Sequence, residues 1–305
     1  MKFLYFLESI RVPGLNEFML AITYLGDEIA FLVTALIFFW CIDKRKGYYI
    51  LSVGFVGTLA NQFMKLWFRI PRPWVLDENF TILEQAREAA SGYSFPSGHT
   101  QSSVGTFGAI AYTTKNKVVR IAAIVIAILV PFSRMYVGVH TPLDVLVAAG
   151  MALALIFIFR PLIMGKDGKY IPLMLGIMTV LAIAYLCFVK LYPFPADIDP
   201  HNMASGTKNA FTLLGSLLGM VVVYIVDEKW LKFPVNAVWW AQLLKIAIGF
   251  ALVMIVKSGL KDILNAWMGE QIGRAVRYFL MVIVAGIVWP LSFKHFARIG
   301  AKRSQ

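Results

Sequence analysis

Cysteine is nearly absent from this 305-residue chain, which has two, Cys41 and Cys187. They fall in separate apolar runs, so neither a disulfide framework nor a cysteine metal site is expected. Both read as small buried hydrophobes. Charge is also scarce, at 15% of residues against 59% hydrophobic. Acids are the scarcer sign: 17 Asp and Glu face 29 Lys and Arg, giving a formal net charge of +12. That excess could meet nucleic acid, an anionic lipid surface or an anionic substrate. Nucleic acid is excluded as a partner by arrangement, because the cations sit in short loops rather than in a stripe with aromatics between them. Low-complexity tracts and a transferable internal repeat are lacking. Met1 to Met19 lack the basic start and apolar block of a cleavable signal and are expected along the membrane interface.

What the chain does have is long apolar runs. About 20 such residues cross a bilayer, and runs of that kind cover 22–42, 47–67, 98–114, 118–137, 142–164, 171–190, 208–227, 237–257 and 275–293. The expected fold class is all-α, a polytopic membrane helical bundle. Residues 1–190 form a six-span core with its site in 65–144, and 191–305 a C-terminal transmembrane extension of about three spans. The stretch 258–274 is too polar to span and is expected as an interfacial helix. Alternating loops place Lys44-Arg45-Lys46, Lys115, Lys117, Arg120, Arg160, Lys166, Lys169, Lys229, Lys232 and the basic tail on one side, with few acids among them. The positive-inside rule puts that side in the cytoplasm of a plasma (inner) membrane and the site on the extracytoplasmic face. Lys257, Lys261, Arg274 and Arg277 run against the rule.

Between the second and third runs, Thr81-Ile82-Leu83-Glu84 has the form of a capping box opening a short helix through Ala90. It reads either as an amphipathic helix that closes the loop or as a lid beside a site.

Three blocks carry the chemistry: Lys65-x6-Arg72-Pro73, Pro96-Ser97-Gly98-His99 and Ser133-Arg134-x5-His140-x3-Asp144. Singly, each could be a helix end, since Pro71 and Pro73 stop a helix, Ser97 caps one, and Thr141-Pro142-Leu143-Asp144 opens one. Jointly they gather three cations, two histidines and a carboxylate on one side, where charge at membrane depth costs about 2.5–3.5 kcal/mol each. Lys65, Arg72 and Arg134 suit phosphate, the arginines through their forked donors. Ser97 and Gly98 can add backbone N–H groups and the positive end of a helix dipole, Gly98 permitting close approach. A neutral His140 can attack phosphorus, Asp144 can hold its other ring nitrogen, and His99 can serve as general acid and then base. No carboxylate cluster or Cys/His set suited to a metal is visible, so no cofactor is expected.

On these residues the chain resembles the phosphatidic-acid phosphatase type 2 superfamily, whose site is shared with vanadium haloperoxidases. The signature spans about 60–148, and every position is present. The resemblance implies a phosphohistidine on His140, Asp144 as its orienter and His99 as leaving-group acid. It further implies phosphate binding by Lys65, Arg72, Ser97, Gly98 and Arg134, and no metal. Residues 191–305 exceed the common bacterial length and are similar in that respect to the glucose-6-phosphatase and sphingosine-1-phosphate phosphatase branches. The expected activity is hydrolysis of a lipid phosphomonoester or diphosphate. The partners are then an amphiphilic phosphate substrate and membrane lipids, with oligomeric state open. A soluble sugar-phosphate hydrolase and a phosphate-binding transporter are the alternatives.

Other polar residues have plainer readings. His201 lies in an acidic loop, His295 in the basic tail, and Trp239-Trp240 at a span boundary as an anchor. Lys257, Lys261, Arg274 and Arg277 suit an anionic substrate or, better, a lipid surface, and Asp27-Glu28 the substrate path or, better, an interface position.

Overall fold

The computed structural model describes residues 1–88, 90–165 and 168–301, without the side chains of Gly300 and Ala301. Ala89, Lys166, Asp167 and the tail from Lys302 lie outside them. Helices make up the architecture, with no strand among the described residues. In chain order they are α1 (Lys2–Ser9), α2 (Pro13–Thr23), α3 (Glu28–Ile37), α4 (Lys44–Phe68), α5 (Pro73–Leu76), α6 (Gly98–Thr113) and α7 (Lys117–Tyr136). There follow α8 (Pro142–Met164), α9 (Ile171–Leu191), α10 (Pro200–Val226), α11 (Trp239–Gly259), α12 (Lys261–Ile283) and α13 (Phe293–Ala301). Their starts follow local chemistry. Proline opens α2, α5, α8 and α10, where its missing N–H has no helical partner to lose. The Asn116 side chain accepts from the N–H groups of Val118 and Val119 at the start of α7.

Six helical stretches are long and apolar enough to cross a membrane: Lys117–Tyr136, Pro142–Met164, Ile171–Leu191, Pro200–Leu231, Trp239–Gly259 and Lys261–Ile299. The protein is thus an all-α, multi-pass integral membrane bundle. The run expected over 22–42 is a pair of helices, Pro13–Gly26 and Glu28–Ile42, bent by 55° at Asp27. The runs 47–67 and 98–114 are helical as α4 and α6 but fall outside the six. The reason is compositional: α4 carries Asn61, Gln62 and Lys65, and α6 is 16 residues rich in Ser, Thr and Gly. Both helices bring polar groups to the site.

The chain divides into two compact units. One comprises Met1–Leu32, Val53–Pro161 and Pro193–Gly206, and the other Val33–Ser52, Leu162–Tyr192 and Thr207–Gln305. In the first, α6 packs along α7, and α2 also lies on α7. The N-terminal α1 packs one face on protein. Leu4 and Leu7 are buried, Leu4 with Phe80 and Ile82, and the Tyr5 hydroxyl donates to Asp77 Oδ2 at 2.8 Å.

The helix expected over 81–90 does not form. The Thr81 N–H and hydroxyl both donate to Glu8, Glu84 is held by Arg87, and the Leu83 N–H donates to Val137 O. With every capping group already engaged, only a single 3-10 turn remains, Glu84–Ala86. The expected sidedness of the segment survives: Ile82, Ala86 and Ala90 are buried, while Glu84 and Arg87 are exposed.

In the second unit, α10 approaches α12 closely through Gly215 and Gly219. A Cβ on Gly215 would stand 2.0 Å from Ala275 O, and one on Gly219 2.8 Å from Val282. Small residues four apart let helix backbones meet where no hydrophobic drive operates inside the bilayer. Elsewhere in this unit Lys44 pairs with Asp227 at 2.6 Å, its ammonium 3.7 Å from the Phe233 ring centroid. The buried Lys245 donates to Trp40 O and Val235 O at 2.8 and 3.0 Å. The polar stretch 258–274 holds a helical arm of its own, over 261–268, ahead of a non-helical break. From Lys261 it is the first arm of α12, which breaks at Gly269 (φ 76°) and continues to Ile283.

Candidate active site

The three sequence blocks meet at the ends of α4, α6, α7 and α8. Lys65 lies in the last turn of α4 with 6% of its surface exposed, and its ammonium donates to Tyr93 O. Arg72, equally buried, precedes α5 and fans out its donors. Nε donates to Gly92 O at 3.1 Å, Nη2 to Ser91 O at 2.8 Å and Nη1 to Val139 O at 3.0 Å. Two cations therefore pin the turn over 91–93 directly ahead of the second block.

His140 sits in the short link between α7 and α8, fully buried. Its Nε2 is 2.9 Å from Arg72 Nη1. Arginine only donates, so Nε2 accepts and the ring proton is on Nδ1. That nitrogen faces Asp144 Oδ2 at 3.4 Å, a contact longer than a good hydrogen bond. The same carboxylate oxygen accepts the Ser94 hydroxyl at 2.6 Å and the Thr141 N–H at 2.7 Å, while the Asp144 N–H meets Thr141 Oγ1 at 3.3 Å. The capping box expected at Thr141–Asp144 is thus present, and it fixes the carboxylate beside the imidazole. Burial, and then Arg72, Lys65 and Arg134, hold His140 well below the ordinary imidazole pKa. Burial also lowers Arg72, to about 10, so it stays cationic at neutral pH.

Arg134, at the end of α7, is wholly buried. Its Nη1 donates to Thr23 Oγ1 at 2.8 Å, and Nε and Nη2 are buried without a partner. Unpaired buried guanidinium donors are costly and suit an anionic ligand.

The second block opens α6. Ser97 is its N-cap, accepting from the Thr100 N–H and, at 2.9 Å, from the Thr100 hydroxyl. The Ser97 N–H donates to Asp144 O at 3.1 Å. Gly98 is not required by packing, since a Cβ there would meet only Asn61 Oδ1, at 3.8 Å. His99 has its Nε2 2.7 Å from Asp27 Oδ1. Gly26, next to that aspartate, permits the approach: a Cβ would stand 3.0 Å from His99 Cβ and O and 2.7 Å from Val130.

All eight sequence-predicted residues therefore fall in one unit and around one buried cluster, with His140, Arg72 and Asp144 in direct contact. Four neighbours escaped the sequence reading. Asp27 was assigned to the interface, although its place before a helix start beside Gly26 marked a break in an apolar run. Asn61, which donates to Pro96 O at 3.2 Å, lies one turn before Lys65, so helical spacing could have found it. Ser94 adjoins the second block. Nothing local singles out Thr23.

Residues 45–167 match the model of the PAP2 superfamily, and 211–303 match that of the PAP2 superfamily phosphatase transmembrane extension. The chain is 36% identical over 174 residues to phosphatidylglycerophosphatase B of Bacillus subtilis, covering 52% of this chain and 79% of that one. It is 30% identical over 147 residues to undecaprenyl-diphosphatase BcrC of Bacillus subtilis, covering 48% and 73%. Among solved structures, a transmembrane PAP2 type phosphatidylglycerolphosphate phosphatase from Bacillus subtilis is similar at 33% identity and a TM-score of 0.44, over 52% of this chain and 80% of that one. With both segments matched and the signature side chains gathered in one buried cluster, the chain belongs to the PAP2 superfamily as a multi-pass membrane phosphatase.

Proposed function

We propose that the protein removes the terminal phosphate of an amphiphilic lipid phosphomonoester or diphosphate through a phosphohistidine on His140. The observation that carries this reading is the geometry of His140, whose Nε2 faces Arg72 Nη1 at 2.9 Å and whose Nδ1 faces Asp144 Oδ2 at 3.4 Å. In the first step Nε2 forms the N–P bond as the P–O bond to the leaving group breaks, and His99 protonates the departing oxygen. Asp144 stabilises the positive charge that grows on the ring. In the second step His99 takes a proton from water, whose oxygen attacks phosphorus and releases inorganic phosphate and free His140. Lys65, Arg72, Arg134 and the helix start at Gly98 meet the phosphoryl oxygens, whose charge they offset without a metal in the scheme. Support for a lipid substrate comes from the membrane setting and from the similarity to a phosphatidylglycerophosphatase and an undecaprenyl-diphosphatase.

The test is phosphate release by purified protein in detergent across phosphatidic acid, phosphatidylglycerophosphate, undecaprenyl diphosphate, a sphingoid-base phosphate and glucose 6-phosphate. Turnover of a lipid class that disappears in His140→Ala is expected. Preference for the sugar phosphate by roughly tenfold, about 1.4 kcal/mol in the transition state, would overturn the lipid reading. Unchanged release in His140→Ala would overturn the nucleophile.

A further inference from the structure

The C-terminal unit contains a second set of cationic groups, which the reaction above does not use. Past the break at Gly269, the 3.6-residue repeat puts Glu270, Gly273, Arg274 and Arg277 on one face of α12. Ala275, Phe279 and Val282, the contacts of Gly215 and Gly219 on α10, occupy the other. The cationic face turns toward the first arm of the same helix. A Cβ on Gly273 would stand 2.7 Å from Leu264 O and 3.0 Å from the Asn265 nitrogen, so the two arms touch there and form a fork. Gly269 makes the fork possible, because its φ of 76° suits glycine and few other residues.

Arg277, one turn beyond Gly273, is 5% exposed, and its Nε is buried without a hydrogen-bond partner. No carboxylate lies within ion-pair distance of it among the described residues, and its guanidinium carbon lies 5.7 Å from the Tyr278 ring centroid. Arg274 also has a buried, unpartnered Nε, and its one ion pair, to the exposed Glu270, is long at 3.4 Å. Across the fork, Asn265 Oδ1 is a third buried polar atom with no partner. Rotation of that amide would turn its N–H donors inward. The outer surface of the first arm is apolar: Trp267 is 84% exposed, and Ile263 and Met268 are exposed beside it.

We propose that this fork is a second phosphate-binding site, in which Arg274 and Arg277 hold the phosphate of an anionic membrane lipid. Buried ionisable groups in a membrane span carry a large desolvation penalty and ordinarily mark a function. A phosphate oxygen is the acceptor that planar guanidinium donors fit best. The exposed tryptophan and aliphatic side chains on the first arm are an interfacial anchor, which places acyl chains where the headgroup's phosphate reaches the fork.

The test uses the purified full chain in neutral detergent, with thermal unfolding followed as phosphatidylglycerol, phosphatidylcholine or inorganic phosphate is added. Phosphatidylglycerol is a phosphodiester, so the phosphomonoester chemistry of the active site does not consume it. A rise in Tm with phosphatidylglycerol but not phosphatidylcholine is expected, its midpoint weakened about tenfold in Arg277→Gln and in Arg274→Gln. Arg277→Lys, which keeps the charge but loses the forked geometry, falls between. Equal midpoints in wild type and both glutamine variants would overturn the site. If inorganic phosphate reproduces the arginine-dependent rise, the ligand is the free anion and the lipid assignment falls. Should Arg277→Gln fail to fold, Arg274→Gln decides alone. Phosphate release measured in parallel reports on His140 separately, so failure of either reading leaves the other standing.

Discussion

Arg72 Nη1 donates to His140 Nε2 at 2.9 Å, so one cation both fixes the imidazole tautomer and occupies the atom proposed above to attack phosphorus. Binding of a phosphate gives that guanidinium a better acceptor and frees the lone pair. Arg72→Gln should therefore lower kcat/KM by about 10²- to 10³-fold, the usual effect of losing a transition-state donor. His140→Ala should lower it further, to background, in the same phosphate-release assay.

The pH profile follows from the burial of His140. Its folded pKa is lowered, chiefly by desolvation and next by Arg72, so the neutral form is favoured below the ordinary value of about 6.5. The acid limb of kcat/KM that His140 sets should therefore lie below 6.5. In Arg72→Gln the acid limb should move up, because a cation that opposed protonation is gone. A wild-type limb at or above 6.5 would contradict the observed burial.

Asp27 touches His99 rather than the substrate's phosphorus, so it acts as a positioning residue. Asp27→Asn should lower turnover of an alkyl phosphate by roughly tenfold to a hundredfold, within the range general acids supply. With p-nitrophenyl phosphate, whose leaving group needs no proton, the loss should be much smaller. Equal losses on both would indicate structural damage alone. Gly26→Ala, which crowds the His99 backbone and Val130, should destabilise by about 1–3 kcal/mol and lower Tm.

Lys65, Arg72 and Arg134 together carry the positive charge that a metal supplies in other phosphoryl-transfer sites. Activity should be unchanged by EDTA and should fall with vanadate, which takes the geometry of pentacoordinate phosphorus. Loss of activity on chelation, restored by one added cation, would require a different scheme.

Much of the site was legible because its spacing is local. His140 and Asp144 are four apart at a helix start, and Thr141-Pro142-Leu143-Asp144 forms the capping box that its composition specifies. Asn61 shows how near the rest came, one helical turn from Lys65 on the same face. The short helix expected over 81–90 failed for the opposite reason. Its capping groups were read as free, whereas Glu8, Arg87 and Val137 take them, two of these from remote parts of the chain.

By itself the sequence determined that the chain is a helical membrane protein, because apolar runs of bilayer length admit no other hydrogen-bonded solution in lipid. It also pointed to the side chains that gather in one buried cluster, because a phosphate needs cations, and a nucleophilic imidazole needs an orienter at helical spacing. Only the tertiary structure decided the tautomer of His140, the commitment of the Ser97 N–H to Asp144, the pairing of His99 with Asp27, and the two facing arms of α12. Each of these is a contact between residues brought together by packing, and residue types along the chain do not specify which distant partner will claim a given donor.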